Sequence, residues 1–259
     1  MVKTKVLITG MSGHIGSAIK ERLMDKYELS ALNRSDVPGV ECHRADITNL
    51  EAIKPAFEGK DVVVHLAGSG GDWDTIYGLN IKGSYNVYEA ARLAGVKRVI
   101  AASTGRVTGS LDEEFPYNAI AKGQYELVPP TWDLITHETA VRPDSLYACS
   151  KVWSEALGRH YSDTYGMSVI IIRISAVPHD GDGVTMNRGA EIYVRRFSTW
   201  CSLDDITQLV DKSIEAPESV RYDVFYGVSN NKWRTRDIEH AREVVGYDPK
   251  DDAEVFRNA

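Results

Sequence analysis

Cysteines and long apolar runs are both scarce in this sequence, and their scarcity excludes several classes of protein. The 259 residues include three cysteines, Cys42, Cys149 and Cys201, which are widely spaced and odd in number. This pattern indicates a reducing compartment without a disulfide framework, and it does not match the ligand spacing of a zinc site. No apolar stretch approaches a membrane span, and a strand pattern begins too early for a signal peptide. We therefore expect a cytoplasmic protein with no metal and no membrane partner.

Positive charge is in deficit as well. Lys and Arg number 30 against 37 Asp and Glu, which gives a net charge of −7. This balance argues against nucleic acid as the main partner. The hydrophobic content of 43% is ordinary for a globular protein, and a chain of this length can bury a large core.

Continuous apolar runs alternate with amphipathic stretches along the chain. Such runs are typical of parallel strands buried on both faces, and the alternation predicts helices that cover those faces. We predict strands at 6–8, 29–32, 40–43, 61–66, 96–102 and 169–174, and helices at 12–26, 49–57, 73–94 and 145–165. The predicted fold class is α/β, a Rossmann-type doubly wound parallel sheet in a single domain over 1–259, with a small C-terminal substrate-binding cap.

Residues 110–140 interrupt this alternation and are predicted to form a long loop. Loops of this length in a compact domain are usually functional or disordered. Four aromatic residues, Phe115, Tyr117, Tyr125 and Trp132, argue against disorder. We interpret the segment as a structured lid that, with residues 176–259, contributes to substrate binding. The alternative is a packed surface excursion that does not contact substrate.

A glycine loop follows the first predicted strand. It reads Gly10-Met11-Ser12-Gly13-His14-Ile15-Gly16 and opens an amphipathic helix. Glycine lets the backbone approach a pyrophosphate closely, and the helix start offers free N–H groups and a positive dipole end. The loop therefore predicts a dinucleotide site, and the alternative is an ordinary turn between strand and helix.

A tyrosine and a lysine stand four residues apart in the helix predicted at 145–165. At this spacing Tyr147 and Lys151 lie on one helix face, about one turn apart. A neighbouring ammonium favours the phenolate, so we expect the pKa of Tyr147 to be lowered toward the range of a useful base. The alternative is a solvated helix face.

These features belong to a longer ordered set. The set comprises Gly10-x-x-Gly13-x-x-Gly16, Asp46-Ile47, His65-Leu66-Ala67-Gly68, Asn80-Ile81-Lys82-Gly83-Ser84, Ser103-Thr104 and Tyr147-x-x-x-Lys151. Together they resemble an extended short-chain dehydrogenase/reductase over nearly the whole length. Within that family the chain is most similar to uronate dehydrogenases and archaeal sugar dehydrogenases.

The resemblance implies catalytic roles for five residues. Tyr147 would be the acid/base, Lys151 would hold the nicotinamide ribose, and Asn80 would shape the site near the lysine. Thr104 would hydrogen-bond the reacting oxygen, with Ser103 beside it. Alternatively, Ser103 and Asn80 satisfy backbone groups, as most buried polar side chains do.

The resemblance also implies cofactor contacts beyond the three glycines and Lys151. Asp46 and Ile47 would meet adenine, while Ala67 and Gly68 would follow the cofactor backbone. The remaining implied contacts are Ser12, His14, Ile15, Leu66 and Ile174.

The end of the second predicted strand bears on the choice of cofactor. NAD enzymes usually carry an acidic residue there, whereas this chain has Asn33-Arg34-Ser35. Asn33 does not repel a 2′-phosphate, and Arg34 and Ser35 can bind one. We therefore favour NADP over NAD. Asp36 could still select NAD, and Arg34 could stack on adenine instead.

The substrate pocket departs from the uronate dehydrogenase pattern. Arg195 occupies the place of an arginine in that pattern and suits a carboxylate or phosphate, with Arg196 as its competitor. Gly70 stands where those enzymes have a serine, and Arg106 follows the catalytic hydroxyl. Arg106 and Arg195 either bind an anion together or form surface ion pairs.

The leading prediction is an NAD(P)-dependent oxidoreductase that transfers hydride between nicotinamide and a sugar, a sugar acid or a related hydroxyl or carbonyl compound. The first alternative is a sugar epimerase or dehydratase that keeps its cofactor bound. The second is a non-catalytic NADP-sensing regulatory protein, although such proteins generally lose the tyrosine or lysine. The resemblance further implies a homodimer.

Overall fold

The sheet is parallel throughout and has seven strands. A computed structural model describes residues 3–179, 195 and 197–257. The strand order is β3-β2-β1-β4-β5-β6-β7, so the direction of winding reverses between β1 and β4. Ligands of such sheets bind outside the carboxyl ends of the strands at this reversal. The strands are β1 Lys5–Thr9, β2 Glu28–Asn33, β3 Glu41–Arg44, β4 Val62–His65, β5 Arg98–Thr104, β6 Ser168–Ile174 and β7 Tyr222–Gly227.

Helices cover both faces of this sheet, which confirms the predicted α/β class. Alternate side chains of a strand point to opposite faces, so Ile8 of β1 packs in one core and Leu7 in the other. Each fully buried aliphatic side chain of this kind stabilises the fold by about 1.5–3 kcal/mol. The α-helices are α1 His14–Leu23, α2 Leu50–Ile53, α3 Ser84–Leu93, α4 Tyr117–Lys122, α5 Leu146–Tyr165, α6 Leu203–Ile214 and α7 Glu239–Val245.

Two of the predicted helices are divided in the structure. The helix expected at 49–57 is α2 followed by a 3₁₀ segment, Lys54–Phe57, because Pro55 lacks the N–H that an α-helix needs. The helix expected at 73–94 begins with a turn at Trp73–Thr75, continues as a π-helix at Ile76–Gly83 and ends as α3. π-Helical turns occur frequently at functional sites.

The sequence analysis missed β7, α6 and α7, which follow the last predicted strand. Among the described residues β7 pairs only with β6 and lies at the edge of the sheet, and its first two residues are half-buried. An edge strand lacks the continuous apolar run by which the central strands were recognised.

Residues 110–140 contain helices and are not the plain loop that was expected. They include the end of a 3₁₀ stretch at Gly105–Glu113, then α4, then a 3₁₀ turn at Tyr125–Leu127. The indole of Trp132 donates to the carbonyl of Arg234 over 3.2 Å, and Ile135 forms a bridge with Arg236. The segment is therefore anchored along its length to residues near 235.

Within the described ranges, no helix combines the length and the apolar character that a membrane crossing requires.

Candidate active site

The glycine loop forms a tight cradle at the carboxyl end of β1. Gly10 has φ +74°, and a Cβ there would lie 3.0 Å from the backbone of Ala67. A Cβ on Gly16 would lie 2.6 Å from the carbonyl oxygen of Gly10. Gly13 precedes the first residue of α1, so free N–H groups of that helix face the cradle. Any residue other than glycine at position 10 or 16 would force the neighbouring backbone to move. The geometry of the cradle suits a pyrophosphate.

A groove of about 440 Å³ runs from this cradle past the ends of β1, β2 and β4. It gathers most of the cofactor contacts that the resemblance implied. Sequence reasoning missed several neighbours, including Ser69, Thr75 and Leu79, which lie on the connection after β4. The predicted contacts that line the groove are Gly10, Ser12, Gly13, Asn33, Arg34, Ser35, Asp46, Ile47, Leu66, Ala67 and Gly68.

Asn33, the last residue of β2, is hydrogen-bonded to the glycine loop. Its Nδ2 donates to Oγ of Ser12 over 2.6 Å, and its buried Oδ1 has no partner among the described residues. Arg34 lies close enough to Asp46 to help lower the pKa of that carboxyl, although the backbone N–H of Thr48 is the larger cause. The end of the groove beside β2 therefore presents an amide and a guanidinium.

A second cavity of about 360 Å³ adjoins the cradle and contains Tyr147 and Lys151. Nζ of Lys151 donates to the carbonyl oxygen of Ala102, on β5, over 2.9 Å. Burial lowers the pKa of Lys151 to about 8, and the nearby Glu155 acts in the opposite direction. A pKa of about 8 leaves the lysine mainly protonated at pH 7. Other predicted residues that line this cavity are His14, Ile15, Gly16, Ser103, Thr104 and Ile174.

The expected fall in the pKa of Tyr147 is not found. Burial raises the pKa of this phenol instead. The ammonium of Lys151 lies 5.8 Å from the centre of the tyrosine ring and donates a hydrogen bond to the carbonyl oxygen of Ala102. Burial meanwhile reduces the hydration of the Tyr147 hydroxyl. Desolvation therefore outweighs the attraction of the lysine in the protein alone.

Asn80 lies on the π-helical segment and ties three parts of the site together. Its Oδ1 accepts from the N–H of Ser69 over 3.0 Å, and its Nδ2 donates to the carbonyl of Ser69 and to Oγ of Ser150. A Cβ on Gly68 would lie 3.0 Å from Asn80 Oδ1 and 3.1 Å from Lys151 Nζ. With these contacts Asn80 both positions the residues around Lys151 and satisfies the backbone groups of Ser69. The expected role and its alternative therefore do not exclude each other.

Ser103 and Thr104 face different surroundings. The hydroxyl of Ser103 donates to Oε1 of Glu155 over 2.5 Å, whereas Thr104 lines both the tyrosine cavity and a third cavity. Ser103 thus stands beside Thr104 in the tyrosine cavity, as predicted, while its hydroxyl donates to a buried carboxylate.

The third cavity, of about 380 Å³, adjoins Thr104 and is lined by Arg106, Arg195, Arg236 and Asp112. The predicted pair Arg106 and Arg195 therefore meets at one site. Gly70, the other predicted substrate residue, is exposed and lines none of these cavities among the described residues. Arg196 lies outside the described residues.

Four further residues that sequence reasoning missed line these cavities or support them: Glu155, His179, Asp112 and Arg236. Glu155 stands four residues after Lys151, so helical spacing alone could have found it. His179, whose ring centre lies 4.5 Å from that of His14, carries no local signal. The contact of Asp112 with Arg236 joins positions 124 residues apart, which no short motif reveals.

Comparisons with known proteins agree with this geometry. The family described as "NAD dependent epimerase/dehydratase family" matches residues 6–200. The chain is 30% identical to L-arabinose 1-dehydrogenase (NAD(P)(+)) of Haloferax volcanii, over 96% of this chain and 97% of that protein. It is 33% identical to uronate dehydrogenase of Pseudomonas syringae pv. tomato, over 98% of this chain and 84% of that protein.

A solved structure shows the same fold. A mutant uronate dehydrogenase of Agrobacterium tumefaciens, complexed with NAD, superposes with a TM-score of 0.80 at 29% identity. The match covers 98% of this chain and 87% of that chain. This chain therefore belongs to the NAD dependent epimerase/dehydratase family, the extended short-chain dehydrogenases/reductases.

Proposed function

We propose that this protein is an NAD(P)-dependent dehydrogenase that oxidises a sugar hydroxyl. The observation that carries the proposal is the position of Thr104. This residue lines both the cavity that holds Tyr147 and Lys151 and the cavity that holds the arginines. A small polar molecule in the arginine cavity would thus place one oxygen beside the phenol of Tyr147. The similarity to sugar and uronate dehydrogenases supports the same class of substrate.

In this proposal Tyr147 removes the hydroxyl proton of the sugar. Tyr147 acts in its phenolate form, after its own proton has been released to solvent. The O–H and C–H bonds of the sugar then break, a C=O bond forms, and the proton passes to the phenolate oxygen. When bound, the oxidised nicotinamide accepts the hydride and so takes the electron pair of the C–H bond. At the anomeric carbon of a cyclic sugar the product is a lactone. Thr104 donates a hydrogen bond to the reacting oxygen and holds it in place.

Lys151 has two roles in this mechanism. Its ammonium favours the phenolate form of Tyr147, and its position between Ala102 and Gly68 allows it to hold the nicotinamide ribose. Burial lowers the pKa of the lysine to about 8, so the fraction of the protein that carries this ammonium falls as the pH rises through about 8. Asn80 fixes the chain beside it through Ser69 and Ser150.

For the cofactor we propose that NADP is preferred to NAD. Asn33 and Arg34 support this preference because neither repels a 2′-phosphate and the guanidinium attracts one.

We also propose a homodimer, in which α3 and α5 meet their copies. Support comes from exposed apolar residues on these helices, Tyr85 and Leu93 on α3 and Leu146 and Tyr165 on α5. Light scattering gives the mass of the particle and tests the dimer.

The reaction is tested by substituting Tyr147→Phe. We expect the turnover number on a panel of aldoses, uronates and sugar phosphates to fall by about 10²–10⁴-fold. The dissociation constant for the dinucleotide should stay within about twofold. Tyr165→Phe is the matched control, since Tyr165 is an exposed tyrosine on the same helix. Unchanged turnover in Tyr147→Phe would contradict the mechanism.

The stoichiometry separates dehydrogenation from epimerisation. A dehydrogenase forms one reduced cofactor for each sugar oxidised, which absorbance of the reduced nicotinamide measures. Conversion of a sugar without net reduction of added cofactor would instead show an epimerase.

A further inference from the structure

Three guanidinium groups converge on one carboxylate in the arginine cavity. Nη1 of Arg236 donates to Oδ1 of Asp112 over 2.7 Å. Arg195 donates to Oδ2 of the same carboxylate, and Nη1 of Arg106 lies 3.3 Å from that oxygen. The side chain of Arg106 also pairs with Asp144. The cationic groups that suggested an anion-binding pocket therefore already have an anion.

Asp112 carries its negative charge despite being buried. The residue is 6% exposed, and burial on its own would raise its pKa. Arg236 and Arg195 oppose this effect and hold the pKa of the carboxyl below its usual range. Removing one partner from a buried ion pair leaves an uncompensated charge, which is strongly unfavourable. The carboxylate is thus a permanent part of the cavity at neutral pH.

The surrounding backbone fixes this carboxylate in place. Asp112 stands in the 3₁₀ stretch Gly105–Glu113, and Arg236 is 3% exposed. The N–H of Ile135 donates to the carbonyl of Thr235 over 2.8 Å, and the carbonyl of Ile135 accepts from the backbone N–H of Asp237 over 3.0 Å. These bonds hold the segment that contains Arg236 against residues 110–140. Asp112 and Arg236 therefore stand on two segments that are hydrogen-bonded to each other.

Three guanidinium groups and the carboxylates of Asp112 and Asp144 leave one positive charge in this cluster, so the distance of a substrate anion from Asp112 decides which substrates fit. A sugar carboxylate or phosphate that enters this cavity would lie close to Asp112, and like charges at short distance repel. A hydroxyl or hydroxymethyl group avoids this repulsion. Its oxygen can accept from the free N–H groups of Arg106 and Arg195, and its proton can be donated to a carboxylate.

We propose that Asp112 is a built-in counter-anion that makes the cavity select neutral aldoses over sugar acids and sugar phosphates. This inference rests on the proposed dehydrogenase function, because it names the substrate class of the same site. It also gives residues 110–140 a role, since they supply the selecting group.

The test compares sugars that differ in one group. D-Glucose with D-glucuronate, and D-galactose with D-galacturonate, differ only in a hydroxymethyl group against a carboxylate. We expect the wild-type protein to show a kcat/KM at least about tenfold higher for the neutral member of a pair. In Asp112→Asn the ratio of uronate to aldose kcat/KM should rise by about tenfold or more, a change of about 1.4 kcal/mol.

Glu114→Gln is the matched control. Glu114 lies on the same segment and pairs with Arg142 at the surface, so the ratio should stay within twofold of wild type. Circular dichroism establishes that each variant is folded. If Asp112→Asn does not fold, the double variant Asp112→Asn/Arg236→Gln removes both charges of the most buried pair and is used in its place.

The outcomes separate the two proposals. A wild-type protein that prefers the uronate of each pair overturns the role of Asp112 and leaves the dehydrogenase function intact. An unchanged ratio in Asp112→Asn has the same consequence. If no sugar is oxidised, the dehydrogenase function fails. The inference is then decided by thermal shift with D-glucuronate, where equal shifts for wild type and Asp112→Asn overturn it.

Discussion

Ser103 and Thr104 are adjacent on β5, yet their hydroxyls serve different parts of the protein. Both residues line the tyrosine cavity, but the hydroxyl of Ser103 donates to the buried carboxylate of Glu155 over 2.5 Å. Thr104 also lines the arginine cavity, and its Oγ1 accepts from the N–H of Arg106 over 3.2 Å. The sequence predicted the two residues as one functional pair, and in the structure their hydroxyls have different partners.

Substitution of each hydroxyl should therefore have a different effect. Thr104→Val keeps the shape but loses the donor, and we expect kcat to fall by about 10²-fold. The free energy of unfolding should also fall by about 1 kcal/mol, because Oγ1 of Thr104 accepts from the N–H of Arg106 and caps the 3₁₀ stretch. Ser103→Ala should lower the free energy of unfolding by about 1–3 kcal/mol while kcat stays within about threefold. Steady-state kinetics and urea unfolding measure both effects. A larger loss of kcat in Ser103→Ala than in Thr104→Val would refute this division of roles.

Glu155 should be important for stability. Its carboxylate accepts from Nη2 of Arg173 over 2.8 Å, and both groups are buried. Glu155→Gln leaves the guanidinium without its counter-charge, so we expect the free energy of unfolding to fall by about 3–5 kcal/mol. Asp163→Asn is the control on the same helix, because the exposed pair of Asp163 with Arg159 should contribute less than about 1 kcal/mol. Equal losses in urea unfolding would contradict the burial argument.

The buried lysine predicts a specific dependence of stability on pH. The folded-state pKa of Lys151 is lowered from 10.5 to about 8. Between these values the unfolded chain binds more protons than the folded one, so the contribution of Lys151 to the free energy of unfolding rises with pH. Lys151→Met should remove this rise, as seen in urea unfolding from about pH 8 to about pH 10. The exposed Lys97→Met serves as control, and a difference from wild type that does not vary with pH would argue against the shift.

Asn33 offers a direct test of cofactor choice. Asn33→Asp places a carboxylate where NAD enzymes carry one, which should repel a 2′-phosphate and accept from ribose hydroxyls. We expect the ratio of NAD to NADP affinity to rise by about tenfold or more, measured by titration of each cofactor. Wild-type protein that binds NAD more tightly than NADP would overturn the proposed preference. Asp36→Asn tests the other acidic residue of this turn and should leave the ratio unchanged.

Much of the fold could be predicted from local sequence. The runs that became β1, β4, β5 and β6 are continuous and apolar, because each strand is buried on both faces. The edge strand β7 was not recognised, since it has only one neighbour and begins with half-buried residues. The helices divided at Pro55 and at the π-helical segment show that local periodicity does not report hydrogen-bond register.

The candidate site divides in the same way. Tyr147 and Lys151 are one helical turn apart, and the glycine cradle is contained in seven consecutive residues, so short-range geometry is enough to predict both. The pKa of Tyr147 could not be predicted from spacing. It depends on burial by the surrounding fold, which outweighs the neighbouring charge.

The sequence by itself determined the central strands of the sheet, the glycine cradle and the tyrosine–lysine pair, because strand burial, glycine torsions and helix spacing act over a few residues. Only the tertiary structure decided how the charges are paired. Asp112 and Arg236 lie 124 residues apart and meet across the contact between residues 110–140 and the C-terminal segment. The arginines predict an anion site when they are considered alone, and the folded chain supplies that anion itself. Coulomb interactions depend on distance in space and on burial, neither of which the order of residues states.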